Sequence, residues 1–258
     1  MSIWILRCAL SLAVLAWVVG FSKIVRNRRT RRWVVGPGEL SLASDVLVSV
    51  VIPARNEEGN IGRCIRGVLA QTHKNIELII LDDASTDGTK SEIEAAVGGD
   101  SRVSVIYGGE EPPEGWFGKP WALKRAQSHA SGEWLVFVDA DVRLEPEAVS
   151  SVVAYGVDNG RDMVSGIGRL VMESFWEQVM QPVVAGLILA GNDLDHVNDP
   201  ERPKSVMANG QFIAVRRSAY DKIGGHEAVA KNVLDDVGLA KAMVAADGKY
   251  SFLVLREL

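Results

Sequence analysis

The sequence predicts an α/β domain with a mostly parallel sheet flanked by helices, and three observations carry that expectation. From Val46 onward, short β-rich runs alternate with helical patterns. The first three strands that carry polar ends close on Asn56 and Glu57, on Asp82 and Asp83, and on Asp139 and Asp141. In open α/β sheets ligands gather at the carboxyl ends of strands, so three polar ends on one rim make a site. Finally, 258 residues with 47% hydrophobic and 24% charged content suffice for one sizeable core and exclude a disordered chain.

The elements follow in order. The apolar stretch "SIWILRCALSLAVLAWVVGFS" has about the length that crosses a bilayer as a helix, roughly 20 residues. A cleaved signal peptide carries its positive charge before the apolar run, whereas here "KIVRNRRTRR", Lys23 to Arg32, follows it. The expectation is a single-pass membrane anchor over 1–25, a basic cytoplasmic linker over 26–45 and a catalytic domain over 46–258 in the cytoplasm. A membrane-surface or buried helix followed by a solvated linker is the alternative. Outside the basic run the formal charge of −5 leaves the chain acidic, which excludes a general nucleic-acid binder. The two cysteines, Cys8 and Cys64, point to no disulfide framework and to reduced surroundings.

Within the domain, "VLVSVVIPA" reads as a strand and "NIGRCIRGVLAQ" as a helix; "IELIILDD" as a strand, and "KSEIEAAV" as a helix after the turn "ASTDGT". "RVSVIY", "KPWALKRAQSHA", "EWLVFVDAD" and "PEAVSSVVAYG" continue as strand, helix, strand and helix. No phosphate-binding G-x-x-x-x-G-K-[ST] is present, and "SGIGRLV" lacks the third glycine and the strand-to-helix setting of a dinucleotide site. In an extended chain, positions two apart share a face, so the carboxylates of Asp139 and Asp141 would meet and require a cation or a proton. "DDASTDGT" taken alone reads equally as a strand end, a turn and a helix start.

The motifs "VVIPARNEEGNI", "LDDASTDGT", "GWFGKPWAL", "VFVDADV" and "GGHEAV...VLDDVGLAKAM", in this order, resemble the glycosyltransferases of family 2, which have the GT-A fold. The resemblance spans roughly Val46 to Gly248, and its "GWFGKPWAL" and "GGHEAV" details look most like the membrane-associated branch linked to hopanoid and carotenoid pathways. It implies a nucleotide-sugar donor, with a UDP-sugar as the expectation, and Mg²⁺ or Mn²⁺ held against the diphosphate, with Asp141 the more direct ligand and Asp139 helping with the metal or the ribose. Hard carboxylate oxygens suit such cations, and phosphates complete their shell. By the same carry-over Asp83 reads the base with Asp82 beside it, Pro53 and Arg55 line the base pocket partly through backbone, Glu57 belongs to the nucleotide-binding set, and Lys119 meets the nucleotide or its phosphates. For Lys119 an ordinary exposed lysine is the alternative.

The resemblance puts the acid-base residue in "VLDDVGLAKAMVAADG". On a helical wheel Val233, Val237, Ala240 and Val244 form an apolar face with Asp236 on its flank, while Asp235 points away as a cap or first-turn acid. Family members often have Glu-Asp here; this chain has Asp-Asp, which leaves Asp236, the implied base, in place. The resemblance implies a single inverting displacement in which Asp236 takes the acceptor proton; His73, His129, His196 and His226 are scattered, and no covalent nucleophile is evident. His226 reads either as an acceptor neighbour or as a structural loop histidine.

"VMQPVVAGLILAG" is too short and too interrupted by Pro182 to span a bilayer, and reads as an interfacial helix that admits a lipid acceptor or as a core helix. "MANGQFIAVRRSAY" resembles the family's acceptor-side strand, with Asn209, Gly210 and Gln211 near the sugar or acceptor. The expected acceptor is a lipid or another membrane-associated molecule. Without the Q-x-x-R-W motif of processive synthases, single-sugar transfer is expected rather than polymerisation. The alternative is a truncated, non-catalytic, membrane-tethered nucleotide-sugar binding protein.

Overall fold

The computed structural model describes residues 34–172, 174–199 and 205–256, together with positions 7, 11, 18 and 22. In these residues eight strands form one sheet: β1 (Val34–Val35), β2 (Val48–Ala54), β3 (Ile76–Asp82), β4 (Val103–Tyr107), β5 (Trp134–Val138), β6 (Met163–Ile167), β7 (Phe212–Arg216) and β8 (Tyr250–Leu255). Their order across the sheet is β1-β8-β6-β7-β5-β2-β3-β4. All neighbours are parallel except β7, which runs antiparallel to both β5 and β6. The fold is therefore the expected α/β type with a mostly parallel sheet.

Central strands covered on both faces must be apolar nearly throughout. β2, β3 and β5 meet that requirement, with Val50, Val51, Ile52, Leu78, Ile79, Ile80, Leu135 and Val136 fully or almost fully buried. Connecting helices present one apolar stripe to this sheet. In α1 (Ile61–Leu69) the stripe is Ile61, Cys64, Ile65 and Val68, the i, i+3, i+4, i+7 spacing of a single face. α2 (Thr89–Val97) ends at Gly98, whose φ of 56° is the left-handed cap that glycine adopts freely. α3 (Gly118–Gln127) and α4 (Ala148–Asp158) complete the first half.

The second half contributes α5 (Phe175–Gly191), α6 (Leu194–Val197) packed on β8, and α7 (Arg217–Lys222) packed on β7, followed by a 3₁₀ turn over Gly225–Val229 and α8 (Asp235–Ala245). α5 opens on a reciprocal cap, in which Ser174 Oγ accepts from Glu177 N and Glu177 Oε2 accepts from Ser174 N. It leaves a broad apolar surface in solvent, with Trp176 and Leu187 each 69% exposed.

The single-pass membrane location with a cytoplasmic catalytic domain is corrected here. Among the described residues no helix is long and apolar enough to cross a membrane. The most apolar long helix, α5, has 17 residues with Pro182 inside it, against the roughly 20 that a span requires. The stretch expected to anchor the chain, 1–25, lies outside the described residues apart from the four isolated positions. The segment expected to be a linker contributes β1, which pairs with β8 through Val34–Val254 and Val35–Leu255.

The helical face expected around Asp236 also differs. α8 starts only at Asp235, and Val233 and Leu234 precede it with 80% and 64% of their surfaces exposed. Its buried face is Gly238, Leu239, Ala240 and Met243. A wheel begun two residues too early assigned Val233 to a helix it does not enter.

Candidate active site

The carboxyl ends of β2, β3 and β5 open into one cleft of about 290 Å³, lined in part by Pro53, Arg55, Glu57, Asp83, Lys119, Asp139 and Asp141. The loops that follow β2 and β3 are tied to each other beside it. Asn56 Oδ1 accepts from Thr86 N at 2.8 Å, Ser85 Oγ accepts from Asn56 N at 2.9 Å, and Thr89 Oγ1 accepts from Glu57 N at 2.7 Å. Asn56 and Ala84 both hold left-handed backbone, with φ of 57° and 55°. For an alanine that conformation is costly and persists only where surrounding bonds impose it. Here it sits directly after Asp83, whose own N–H donates to Ala54 O at 2.8 Å, and so fixes where that carboxylate leaves the strand.

Asp83 lies between two guanidiniums, Arg55 at 3.5 Å and Arg125 at 3.8 Å. Arg125 was not anticipated from the sequence. It lies on the strip Lys119, Ala122, Arg125 of α3, a spacing of three that brings the residues onto one helical face, and this spacing is the signal that could have found it. Asp82 has a different role from its neighbour: its Oδ1 accepts from Ser85 N at 3.0 Å, closing the turn, and it does not line the cleft.

The strand β5 stops at Val138, and Asp139-Ala140-Asp141 form a turn in which Val142 N donates to Asp139 O at 3.1 Å. The extended alternation assumed from the sequence therefore does not apply, yet both carboxylates still face the cleft. Asp139 N donates to Gln211 O at 3.2 Å, which ties the turn to the segment before β7. Lys119, at the start of α3, donates to Asp139 Oδ1 at 2.6 Å.

Gly210, Asp236 and Lys119 meet beside this pair. Asp236 Oδ2 accepts from Gly210 N at 2.8 Å and its Oδ1 accepts from its neighbour Val237 N at 2.7 Å. A Cβ on Gly210 would stand 3.4 Å from Lys119 Nζ and 3.5 Å from Asp236 Oδ2. Asn209 binds Gln211 through its side chain, and its N–H donates to Ser165 Oγ. Asn209, Gly210 and Asp236 thus adjoin the cleft without lining it.

Three carboxylates, Asp139, Asp235 and Asp236, act on the one ammonium of Lys119, and Asp141 acts on Asp139. Burial, together with Asp141 and Asp236, pushes the Asp139 carboxyl above its ordinary range against the pull of Lys119. Asp235 is raised likewise, by burial and by Asp236. Burial opposes the charge of Lys119, but Asp139, Asp235 and Asp236 outweigh it and hold the ammonium above the ordinary lysine range. A divalent cation fits such a field, with the oxygens of Asp139 and Asp141 as donors. Among the described residues no group of three or more His, Cys, Asp or Glu side chains could hold a metal ion, so a cation there would need further ligands from a bound anion and water.

His226 belongs to the core. Its backbone N–H donates to the Tyr220 hydroxyl at 3.0 Å, which leaves that hydroxyl to donate to Nδ1 at 2.6 Å. Burial, aided by Lys119 and Lys124, lowers its pKa to about 3. A second hollow of about 700 Å³ shares Asp141 with the cleft and is walled in part by Leu144, Val171, Gln181, Phe212 and Leu255. Gln181 belongs to α5, so the exposed apolar helix adjoins this hollow.

A family model described as glycosyl transferase family 2 matches residues 49–224. Among curated proteins, the chain is 27% identical over 197 residues to a 4,4'-diaponeurosporenoate glycosyltransferase of Staphylococcus haemolyticus, covering 76% of this chain and 51% of the relative. It is 24% identical, over the same share of this chain and 50% of the relative, to one of Staphylococcus aureus. The chain thus spans about half the length of these relatives. Among solved structures, the mannosyltransferase PcManGT of Pyrobaculum calidifontis, in complex with GDP-Man and Mn²⁺, aligns with a TM-score of 0.63 at 20% identity, over 96% of this chain and 68% of that one. Glucosyl-3-phosphoglycerate synthase of Mycobacterium tuberculosis, in complex with Mg²⁺ and UDP, aligns with a TM-score of 0.53 at 22% identity, over 83% and 70%. These likenesses show the fold.

Proposed function

Because the chain belongs to glycosyl transferase family 2, we propose that it moves one sugar from a nucleotide-diphosphate sugar, a UDP-sugar, to a hydroxyl of a lipid or membrane-associated acceptor, with inversion. The observation that carries this reading is the convergence of Asp83, Lys119, Asp139 and Asp141 on one cleft, with Asp236 beside it. Asp83, set between Arg55 and Arg125, accepts from a ring N–H of the base, and Pro53 and Glu57 close the same end of the cleft. At the other end Lys119 offers its ammonium to the diphosphate. Asp139 and Asp141 hold Mg²⁺ or Mn²⁺, which when bound offsets the negative charge that grows on the departing diphosphate.

Asp236 is the general base. Both of its oxygens take a backbone N–H, which fixes the plane of the carboxylate while leaving lone pairs for a substrate proton. The acceptor oxygen bonds to the anomeric carbon as the bond from that carbon to the diphosphate oxygen breaks. The hydroxyl proton passes to Asp236 and the nucleoside diphosphate leaves. Attack from the face opposite the leaving group inverts the anomeric centre.

The hollow beside Asp141 is suited to the acceptor, and the apolar surface of α5 next to it suits a hydrocarbon. The names of the matched relatives, diaponeurosporenoate glycosyltransferases, support an apolar acceptor. The nucleotides bound to the structural neighbours, GDP-Man and UDP, support a nucleotide-sugar donor.

The test incubates the protein with a panel of UDP- and GDP-sugars, Mg²⁺ or Mn²⁺ and extracted lipids, and follows nucleotide release and glycolipid formation. Transfer that disappears with a chelator and in Asp236→Asn is the expected result. Metal-dependent nucleotide binding with no turnover on any donor would refute transfer and leave a non-catalytic nucleotide-sugar binding protein.

A further inference from the structure

Lys119 has two kinds of partner within reach. Its ammonium donates to Asp139 Oδ1 at 2.6 Å, and it stands at the same junction as Gly210 and Asp236. Its side chain is 41% exposed on the cleft side, so it can swing toward an incoming anion without unpacking the core. A carboxylate oxygen engaged by an ammonium at this distance cannot also ligate a divalent cation closely without the two positive charges repelling each other. Asp141, the other proposed ligand, has no such lysine within ion-pair distance among the described residues. The pairing therefore distinguishes the two aspartates.

We propose that Lys119 acts as an exchangeable counter-ion that makes cation binding at Asp139 conditional on an anionic diphosphate. A diphosphate in the cleft draws the ammonium off Asp139 and adds negative charge, so that Lys119 and the cation are neutralised together. Without a diphosphate, the ammonium competes with the cation for Asp139. This inference rests on the donor reading given above and adds to it an order: the cation enters with the nucleotide and not ahead of it. Lys119 then has opposite effects on its two ligands, weakening metal binding alone and strengthening nucleotide binding, a sign pattern that a purely phosphate-binding lysine does not produce.

The experiment is a set of calorimetric and Mn²⁺ spin-resonance titrations of the full chain, with Mn²⁺ alone, UDP or GDP alone, and both together. In the unmodified protein the nucleotide should tighten Mn²⁺ binding by about tenfold or more, the usual range of coupling between linked sites. Lys119→Gln should tighten binding of Mn²⁺ alone by about tenfold, weaken nucleotide binding and reduce the coupling between them. Lys119→Arg retains the charge and should behave as the unmodified protein, which guards against a misfolded Gln variant. Unchanged or weaker binding of Mn²⁺ alone in Lys119→Gln overturns the proposal, as does nucleotide binding that leaves Mn²⁺ affinity unaltered. Those outcomes leave the donor reading standing if nucleotide still binds. Failure of both UDP and GDP to bind overturns the donor reading as well.

Discussion

Replacing Asp236 separates chemistry from architecture. Its carboxylate accepts two backbone N–H groups, Gly210 at 2.8 Å and Val237 at 2.7 Å. In Asp236→Asn only one side-chain atom can accept, so the amide oxygen keeps one bond and the amide NH₂ faces the other N–H. The stability cost is that of one unmade hydrogen bond in a half-buried place, about 1 kcal/mol, or roughly 2–4 °C in Tm for a chain of this size. The cost to turnover is far larger. A positioned base contributes about 10²–10⁴-fold, equivalent to roughly 3–5 kcal/mol in the barrier. Asp236→Ala loses both acceptors and should fall further in Tm, with turnover no better. The assay is nucleotide release at saturating donor, run beside thermal unfolding and UDP titration. Turnover retained within about tenfold in Asp236→Asn would refute the assignment of Asp236 as the base. So would a loss of turnover that merely follows a loss of UDP binding.

Further outcomes follow from the packing and the charges. His226 is buried neutral with a pKa of about 3. The unfolded chain, with an ordinary histidine near 6.5, takes up that proton first, so stability is full above about pH 6.5 and declines as pH falls toward 3, by about 1.4 kcal/mol per pH unit. His226→Gln should flatten this part of a Tm-against-pH curve, and an unchanged slope would exclude His226 as its source. A Cβ at Gly132 would lie 2.6 Å from Ser49 N and 2.8 Å from Leu47 O, both fixed backbone atoms entering β2. Gly132→Ala should therefore destabilise by about 1–3 kcal/mol in denaturant titrations, and a neutral result would show that the strand can shift. Arg125 is a positioning residue for Asp83, so Arg125→Gln should raise KM for the donor several-fold while kcat holds. An equal fall in kcat would assign Arg125 to the chemistry instead.

Much of the first half of the domain was readable because its signals are local. The apolar runs of β2, β3 and β5 are short and bounded by turn residues, and Asp83, Asp139 and Asp141 follow them directly. The second half was less readable for physical reasons. β6 is five residues that include Ser165 and Gly166, poor strand formers, and it is held by its pairing with β7 and β8, to which Ser165 Oγ adds a bond to Asn209 O. That β7 lies between β5 and β6, reversed, is a property of spatial order on which local periodicity is silent. Arg125 looked like an ordinary helical surface charge, because its partner Asp83 lies 42 positions earlier in the chain. The start of α8 was misplaced because Val233 and Leu234 are apolar yet exposed. Apolar character alone does not distinguish a core residue from one exposed at the surface.

The reversed strand β7 also sets a timetable for synthesis. Residues 48–138 contain β2, β3, β4 and β5, a contiguous stretch whose parallel neighbours can pair as they emerge from the ribosome. β5 then has one free edge, the apolar sequence Trp134–Val138, until Phe212–Arg216 has been made to cover it. At about 5–20 residues per second that interval lasts roughly 4–15 seconds. During it the nascent chain displays the kind of uncovered apolar edge that recruits other strands. Nascent chains arrested before and after β7 should differ in protease cleavage near Trp134. The strand that joins the two halves of the sheet is also the one that closes this edge.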